Sequence, residues 1–449
     1  MKGPFFVVLC AVGAAGVVAG SASCTSLLGD FAVGTTAGDA EVADSRPVDS
    51  GGMTTPPPAD GSTTDAGGLV CPKNLGNCDN NPDNGCETSL LAPETCGACG
   101  HACGGTAACV QGQCAPETLS TTLDHPFGFA LAGGRALWMG PNAVWGCSLA
   151  SCSTSTAIMV DIETISNNPV PGPPFSPRQI VVDGSTFYYD KCPSNSPNSD
   201  CAPASCPTTG CKIGGSVNGS TFLVTGSGNR RSSMLVGGNG GVYTWHGIDR
   251  LFRYSIPAPT TTTNPPYAIG DYFGAMHADA QRFAFIDDNP SVANPTGGLY
   301  VCPIGGCSTL PPTLLPPPLR LLAYSDGLGV AITSSGAATQ ANASVIACAI
   351  TGCGGSGTVL AQAQAYISDI VADDTDVYWA TVGAASAMTN TAPVGTIMRC
   401  PLPACAGGPV KIAEQVINPV GIQLDASYVY WTTYGTGASQ NGTLVRRRR

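Results

Sequence analysis

The chain has 449 residues, of which only 11% are charged, while 58 are Gly and 37 are Pro. Soluble chains average about 25% charged residues, so this composition favours many short strands and turns over helices, with room for a substantial core. A net charge of −11 argues against a nucleic-acid partner, which needs clustered Lys and Arg to displace counterions from phosphates.

The N-terminus, MKGPFFVVLCAVGAAGVVAGSASC, carries Lys2, an apolar run and then small residues before Cys24. This pattern is that of a secretory signal over 1–23, not of a membrane span. Ser21 and Ser23 suit ordinary signal peptidase, and Ser21-Ala22-Ser23-Cys24 also resembles a relaxed bacterial lipobox. Both cut before Cys24, whose acylation is the preferred expectation; a free N-terminus is the alternative. An acyl chain there would be the protein's sole tie to a membrane, since no second long apolar run follows.

Residues 24–70 form the next zone. The run TTAGDAEVADSRPVDSGGMTTPPPADGSTTDAGG has almost no large apolar residue and cannot offset the entropy of ordering, so it reads as a disordered linker, either a tether or a plain spacer.

Residues 71–116 hold Cys71, Cys78, Cys86, Cys96, Cys99, Cys103, Cys109 and Cys114 among few apolar residues. Four disulfides would supply the stability that so small a core lacks, and the sequence selects none of the 105 connectivities. Cys96-x-x-Cys99 beside His101 could suggest redox or zinc chemistry, yet the βαβ setting of a redox motif is missing and an exported thiol would be oxidised. Asp79, Asn81 and Asp83 alternate like calcium ligands, but Gly85 and Leu90 break that pattern, leaving an Asx-rich turn. The runs NPDNGCET and CGACGHAC, followed by C-x4-C at 109–114, resemble a Cys-rich module of bacterial envelope lipoproteins that precedes a propeller domain. That resemblance implies export and anchoring and no catalytic activity.

From about residue 117 the chain repeats itself. Cys-x4-Cys brackets begin at Cys147, Cys206, Cys302, Cys348 and Cys400, in steps of 59, 96, 46 and 52 residues. The long step equals two units of 48, the unit at 234–256 lacking its cysteines. Seven segments share an apolar strand, a turn with Asp or Gly and a second strand, from GFALAGGRALWM at 128 to GIQLDASYVYWT at 421. Four strands per unit of about 48 residues predict an all-β chain with a β-propeller over 117–449, most simply of seven blades, six or eight being the alternatives. The last unit lacks an outer strand, which ETLSTTL at 117–123 can supply, closing the ring.

The brackets Cys147/Cys152, Cys206/Cys211, Cys302/Cys307, Cys348/Cys353 and Cys400/Cys405 then predict hairpin disulfides, with Cys192/Cys201 restraining a long loop. Zinc is the rival; it fails because each blade offers only two ligands, and no metal or other cofactor is expected. VYWA at 377 and VYWT at 429 resemble YWTD- and NHL-like propellers. Trp379 and Trp431 are expected in blade-to-blade packing.

Loops between second and third strands vary most, as in KCPSNSPNSDCAPAS and GAASAMTNTAPVG, and variable loops on a stapled scaffold suit binding. Trp245, His246, Asp249, Arg250, Asp287, Asp288 and Tyr434 are the candidate binding residues of that rim. With four histidines and no HExxH, GxSxG or phosphate loop, no catalytic residue is assigned. The leading expectation is an envelope binding or adhesion protein for a glycan, peptide or protein. A propeller lyase or hydrolase is the alternative, to be favoured by a His beside an acid at the channel mouth. The four terminal arginines are expected as a frayed strand, with contact to anionic lipid or phosphate as the sharper reading.

Overall fold

The computed structural model describes residues 70–126, 128–140, 143–152, 156–160, 180–191, 202–208, 234–237, 241–246, 250–255, 262–263, 273–278, 281–287, 298–303, 314–315, 319–325, 328–335, 342–382, 394–435 and 441–449. The signal segment, Cys24 and the linker before Val70 lie outside them, as do Cys192, Cys201, Cys211 and Cys307. All described residues belong to one compact unit, Asp60–Arg449, and contain strands but no helix.

Apolar side chains are too few in 71–116 to build a core, so sulfur builds one. Strands β1 (Leu75–Gly76) and β2 (Thr88–Ser89) pair, as do β3 (Cys109–Val110) and β4 (Gln113–Cys114). Disulfides join Cys71 to Cys86, Cys78 to Cys99, Cys96 to Cys109 and Cys103 to Cys114. Cys96, Cys103 and Cys114 are buried, and their sulfurs lie within 4.8 Å of one another, as metal ligands would; each is already spent in a disulfide. Asp79 Oδ1 accepts from Asn81 N at 2.9 Å and Asn81 Oδ1 from Asp83 N at 3.1 Å, which is an Asx turn.

Strand β5 (Glu117–Leu123) follows, then sheets of antiparallel neighbours in chain order. The first holds β6 (Phe129–Ala132), β7 (Arg135–Met139), β8 (Ala143–Ser148) and β9 (Thr156–Val160), and the second β10 (Ile180–Asp183), β11 (Thr186–Lys191) and β12 (Ala202–Pro207). The third holds β13 (Met234–Gly237), β14 (Gly241–His246), β15 (Arg250–Ser255) and β16 (Thr262–Thr263), and the fourth β17 (Phe273–Ala278), β18 (Arg282–Asp287) and β19 (Gly298–Pro303). The fifth holds β20 (Leu319–Ser325), β21 (Val330–Ser335), β22 (Ala343–Ala349) and β23 (Thr358–Gln364). The sixth holds β24 (Tyr366–Ala372), β25 (Asp376–Val382), β26 (Val394–Pro401) and β27 (Val410–Ile417). In the last, β28 (Pro419–Leu424), β29 (Tyr428–Thr433) and β30 (Gly442–Arg448) are completed by β5.

Each first strand lies against the first strand of the next sheet, and β28 lies against β6. Between sheets the core is aromatic: Trp379 packs on Ile332, Val345 and Leu360 of the fifth sheet, Trp431 on Tyr378 and Ile397 of the sixth, and Trp138 on Tyr430 and Leu444 of the last. These three indoles are almost fully buried and belong to the largest buried side chains described.

Antiparallel order puts the turns joining strands one to two and three to four at one end of every sheet, and the other connections at the opposite end. The disulfides Cys147–Cys152, Cys348–Cys353 and Cys400–Cys405 sit at the first, or turn, end. Cys206 and Cys302 are also disulfide-bonded, to partners outside the described residues. The second cysteine of a bracket does not begin the fourth strand, as a simple hairpin staple would have it: Cys353 precedes β23 by five residues, and Gly354, Gly355 and Gly357 between them have φ of 65°, 81° and 63°. The Gly-rich exits thus turn the chain from the disulfide to the outer strand through the left-handed region.

The terminal arginines are not frayed. Arg446 meets Glu117 of β5, buried Arg447 donates to Gln113 Oε1 at 2.6 Å and to the Ile412 carbonyl, and Arg449 meets Asp373. His101 Nε2 lies 3.1 Å from the Arg449 carbonyl oxygen, and Tyr428 Oη donates to the Cys103 carbonyl at 3.5 Å. The Cys-rich segment therefore rests directly on the last sheet.

Candidate functional site

The turn end is occupied by structural polar contacts. Asp373 and Asp425 each accept backbone N–H groups of their own turns, at 2.9 Å from Thr375 and 2.7 Å from Tyr428. Asp376, buried, takes Arg399 in a two-point contact of 2.8 and 3.0 Å, and that hydrogen bonding raises the Arg399 pKa. Tyr430 Oη donates to Asp425 at 2.7 Å; burial first, then that bond, pushes its pKa up.

The loop end is different. There the connection from β5 to β6 meets the residue that follows β29. His125 Nδ1 lies 2.7 Å from Asp124 Oδ1, with side chains only 14% and 19% exposed. The His125 ring stands edge-on to Tyr434, with centroids 4.9 Å apart and planes at 61°. Tyr434 N donates to the Asn418 carbonyl at 2.9 Å, fixing the start of its loop. Burial first, and the charge of Asp124 second, raise the Tyr434 pKa, so its hydroxyl keeps its proton. His125 has φ of 40°, a left-handed conformation uncommon outside glycine. At the adjoining end of β7, Gly140 lets the chain close in: a Cβ there would stand 2.8 Å from Trp145 Nε1 and 3.0 Å from the Asp124 carbonyl oxygen.

Tyr434 thus joins two residues that the sequence reading did not single out. Their signal was present, since His125 is one of four histidines and sits beside an acid in LDHPF, in a connection that crosses the loop end. Trp245 and His246 end β14, Arg250 begins β15 and Asp287 ends β18, each at the loop end of its sheet. Asp249 and Asp288 lie outside the described residues.

One more acid stands apart. Asp369, on first strand β24 at a register shift, accepts from Ile422 N of the next sheet at 2.8 Å and from Ile370 N at 2.9 Å. The residue is half-buried by surface area, yet protein atoms enclose its carboxyl group, and that enclosure governs its charge. Burial pushes its pKa up to about 7, against the two N–H groups that pull it down.

No protein-family model matches the chain, and no curated protein matches its sequence. Among solved structures it is similar to the WD40 β-propeller domain of Doa1, with a TM-score of 0.46 and 11% identity over 74% of this chain and 96% of that one. The Dos1 propeller gives 0.45 and 10% over 74% and 94%, and an oligogalacturonate lyase in complex with manganese gives 0.45 and 9% over 73% and 90%. Its structural neighbours are β-propellers. The many disulfides mark an oxidising compartment, extracellular or periplasmic. No helix among the described residues is long and apolar enough to cross a membrane.

Proposed function

We propose that the sheets close into one seven-bladed propeller, carried by an exported bacterial envelope protein acylated at Cys24, and that its loop end binds an envelope or extracellular ligand. The contact of β28 with β6 and the completion of the last sheet by β5 support closure. Residues 1–23, 24–70, 71–116 and 117–449 are the proposed signal, linker, Cys-rich module and propeller. The glycan, peptide or protein ligand meets Asp124, His125 and Tyr434; nucleic acid is not among the candidates, given the net charge of −11.

One observation carries this reading. The Cys-rich segment rests on the last sheet at the turn end, and the loop end gathers a carboxylate, an imidazole and a phenol from connections distant in sequence. A mixed polar and aromatic cluster held by packed sheets is how binding sites are built. The same His–Asp contact beside a protonated tyrosine favours a second reading, a lyase or hydrolase using His125 as general base.

The test uses the full oxidised chain, screened against cell-wall and surface glycans, peptides and proteins. Retained ligand that is released by loop-end substitutions, with no product formed, supports binding; turnover lost in His125→Gln supports the enzyme. Intact mass of the exported protein, acylated or not at Cys24, decides the anchor.

A further inference from the structure

Four sulfurs of the Cys-rich segment stand where two pairings can be drawn. Cys96 is joined to Cys109 and Cys103 to Cys114, yet the Sγ atoms of Cys96, Cys103 and Cys114 all lie within 4.8 Å of one another. The fourth, Cys109, faces Cys114 directly across the hairpin of β3 and β4. Beside them Ala115 N donates to the Ala108 carbonyl at 2.8 Å, which makes Cys109 and Cys114 the next, non-hydrogen-bonded pair of the ladder. In such a pair the Cα atoms approach to about 4.5 Å, within the range that a disulfide spans. Gln111 and Gly112, with φ of 52° and 75°, close the two-residue turn that holds this register. The same Cys-x4-Cys spacing is bridged locally at Cys147–Cys152, Cys348–Cys353 and Cys400–Cys405.

The loops that these two disulfides close carry contacts of the segment with the last sheet. His101 Nε2 lies 3.1 Å from the Arg449 carbonyl oxygen, Tyr428 Oη donates to the Cys103 carbonyl at 3.5 Å, Thr106 N donates to Glu117 at 3.4 Å, and Gln113 accepts from Arg447 at 2.6 Å. All four contacts fall between Cys96 and Cys114. A change of pairing draws Cys103 from Cys114 to Cys96 and takes with it the carbonyl that Tyr428 holds.

We infer that Cys96–Cys109 and Cys103–Cys114 form an exchangeable pair of disulfides, which a thiol converts into Cys96–Cys103 and Cys109–Cys114, and that this exchange sets how the Cys-rich segment is seated on the last sheet. A thiolate attacks Cys109 Sγ, the least buried of the four; the bond to Cys96 breaks, its electron pair leaves on Cys96, and a mixed disulfide forms at Cys109. The Cys96 thiolate then attacks Cys103 Sγ, and Cys114 leaves as a thiolate. Cys114 attacks Cys109 across the hairpin and releases the original thiolate. Two disulfides are broken and two are made, the thiolate is returned, and no oxidant is consumed. Attack of Cys96 on Cys114 instead would strand Cys103 and Cys109, which share no ladder position, so the register of the hairpin selects the product.

The experiment incubates the full oxidised chain with reduced and oxidised glutathione, traps it by alkylation and maps its disulfides by tandem mass spectrometry. Both pairings are expected after glutathione, and the original pairing alone before it. Double variants isolate each half: Cys96→Ala with Cys103→Ala, and Cys109→Ala with Cys114→Ala, should each show no more alkylatable thiol than the parent, because the remaining two sulfurs join. Cys96→Ala with Cys114→Ala should show two more. Hydrogen exchange over residues 446–449 should run about 10-fold faster in Cys96→Ala with Cys103→Ala than in the parent, reporting the altered seating. If a double variant fails to fold, the mapping of the glutathione-treated parent still carries the test. Retention of the original pairing alone after glutathione overturns the inference, as does the appearance of Cys96–Cys114 with Cys103–Cys109, or free thiols in the first two variants. Re-pairing that leaves exchange over 446–449 unchanged overturns its second half, the link to seating.

Discussion

Glu117 and Arg446 lie 329 positions apart and meet at 2.9 and 2.8 Å, joining the strand that opens the repeat region to the one that ends it. Glu117 Oε1 also accepts from Thr106 N and Oγ1 of the Cys-rich segment at 3.4 Å, and Arg446 stands 4.7 Å above the Tyr428 ring. One carboxylate thus ties two other pieces of chain, β30 and the Cys-rich segment, to β5. Both side chains are about one-sixth exposed, so Glu117→Gln is expected to cost about 2 kcal/mol, less than for a fully buried pair. A double-mutant cycle with Arg446→Gln, read by denaturant unfolding, should give a coupling of at least about 1 kcal/mol. Additive losses would mean that the pair does not hold the last sheet together.

The Cys400–Cys405 disulfide closes a loop with a sequence separation of 5 between two buried cysteines. Loop-closure entropy for so short a loop is about 2 kcal/mol. Replacing both by Ala should lower stability by about that amount, and the same replacement of Cys348 and Cys353 should behave alike, because each staples the turn after the third strand of its own sheet with the same loop length. Denaturant midpoints measured with and without reductant check this: the parent should lose stability in reductant, and the double variants should lose less.

Asp369 makes stability depend on pH. Its folded pKa of about 7 lies above the ordinary carboxylate value, so the folded protein disfavours the ionised form. Its contribution is therefore most favourable at and below the ordinary value near pH 4, declines as pH rises toward 7, and stays at its lower level above that. Thermal unfolding of the parent should fall between pH 5 and pH 8 relative to Asp369→Asn, which has no charge to bury. Parallel pH profiles would show that the carboxyl group is already solvated in the folded protein.

Much of the fold was legible because repeated burial repeats a pattern. Trp379 and Trp431 occupy matching places on β25 and β29 and pack on the preceding sheet, so VYWA and VYWT announced one unit twice. Asp373 and Asp425 were equally readable, since a turn that bonds its own backbone needs an Asx residue at a fixed offset. The site was harder. Asp124 and His125 stand in a connection with no counterpart among the repeats, and they gain Tyr434 as a neighbour only through the pairing of β5 with β30. The arginine run misled for a similar reason: Glu117 and Gln113, which neutralise or accept from Arg446 and Arg447, lie more than 300 positions earlier. Disulfide connectivity in 71–116 had no periodic signal at all, because each sulfur pairs with a different spacing, from 11 to 21 residues.

Gly395 is the second residue of the third strand of the sixth sheet and Gly442 the first of the third strand of the last, and each is followed by a threonine that meets one on the second strand. Thr381 Oγ1 lies 2.6 Å from Thr396 Oγ1, and Thr433 Oγ1 2.9 Å from Thr443 Oγ1. No side chain fits before either rung: a Cβ on Gly395 would fall 1.8 Å from the Thr381 carbonyl oxygen, and one on Gly442 2.6 Å from that of Thr433. Because both obstacles are backbone, relief requires the two strands to part at the loop end. Gly395→Ala should therefore cost roughly 3 kcal/mol, the upper range for overpacking. Gly408, by contrast, has φ of 82° and open space around its Cβ position, so Gly408→Ala should pay only the left-handed backbone cost of about 1–2 kcal/mol. Denaturant unfolding of the two variants ranks them directly, and equal losses would mean that strand separation at Gly395 is cheap and the close approach there incidental.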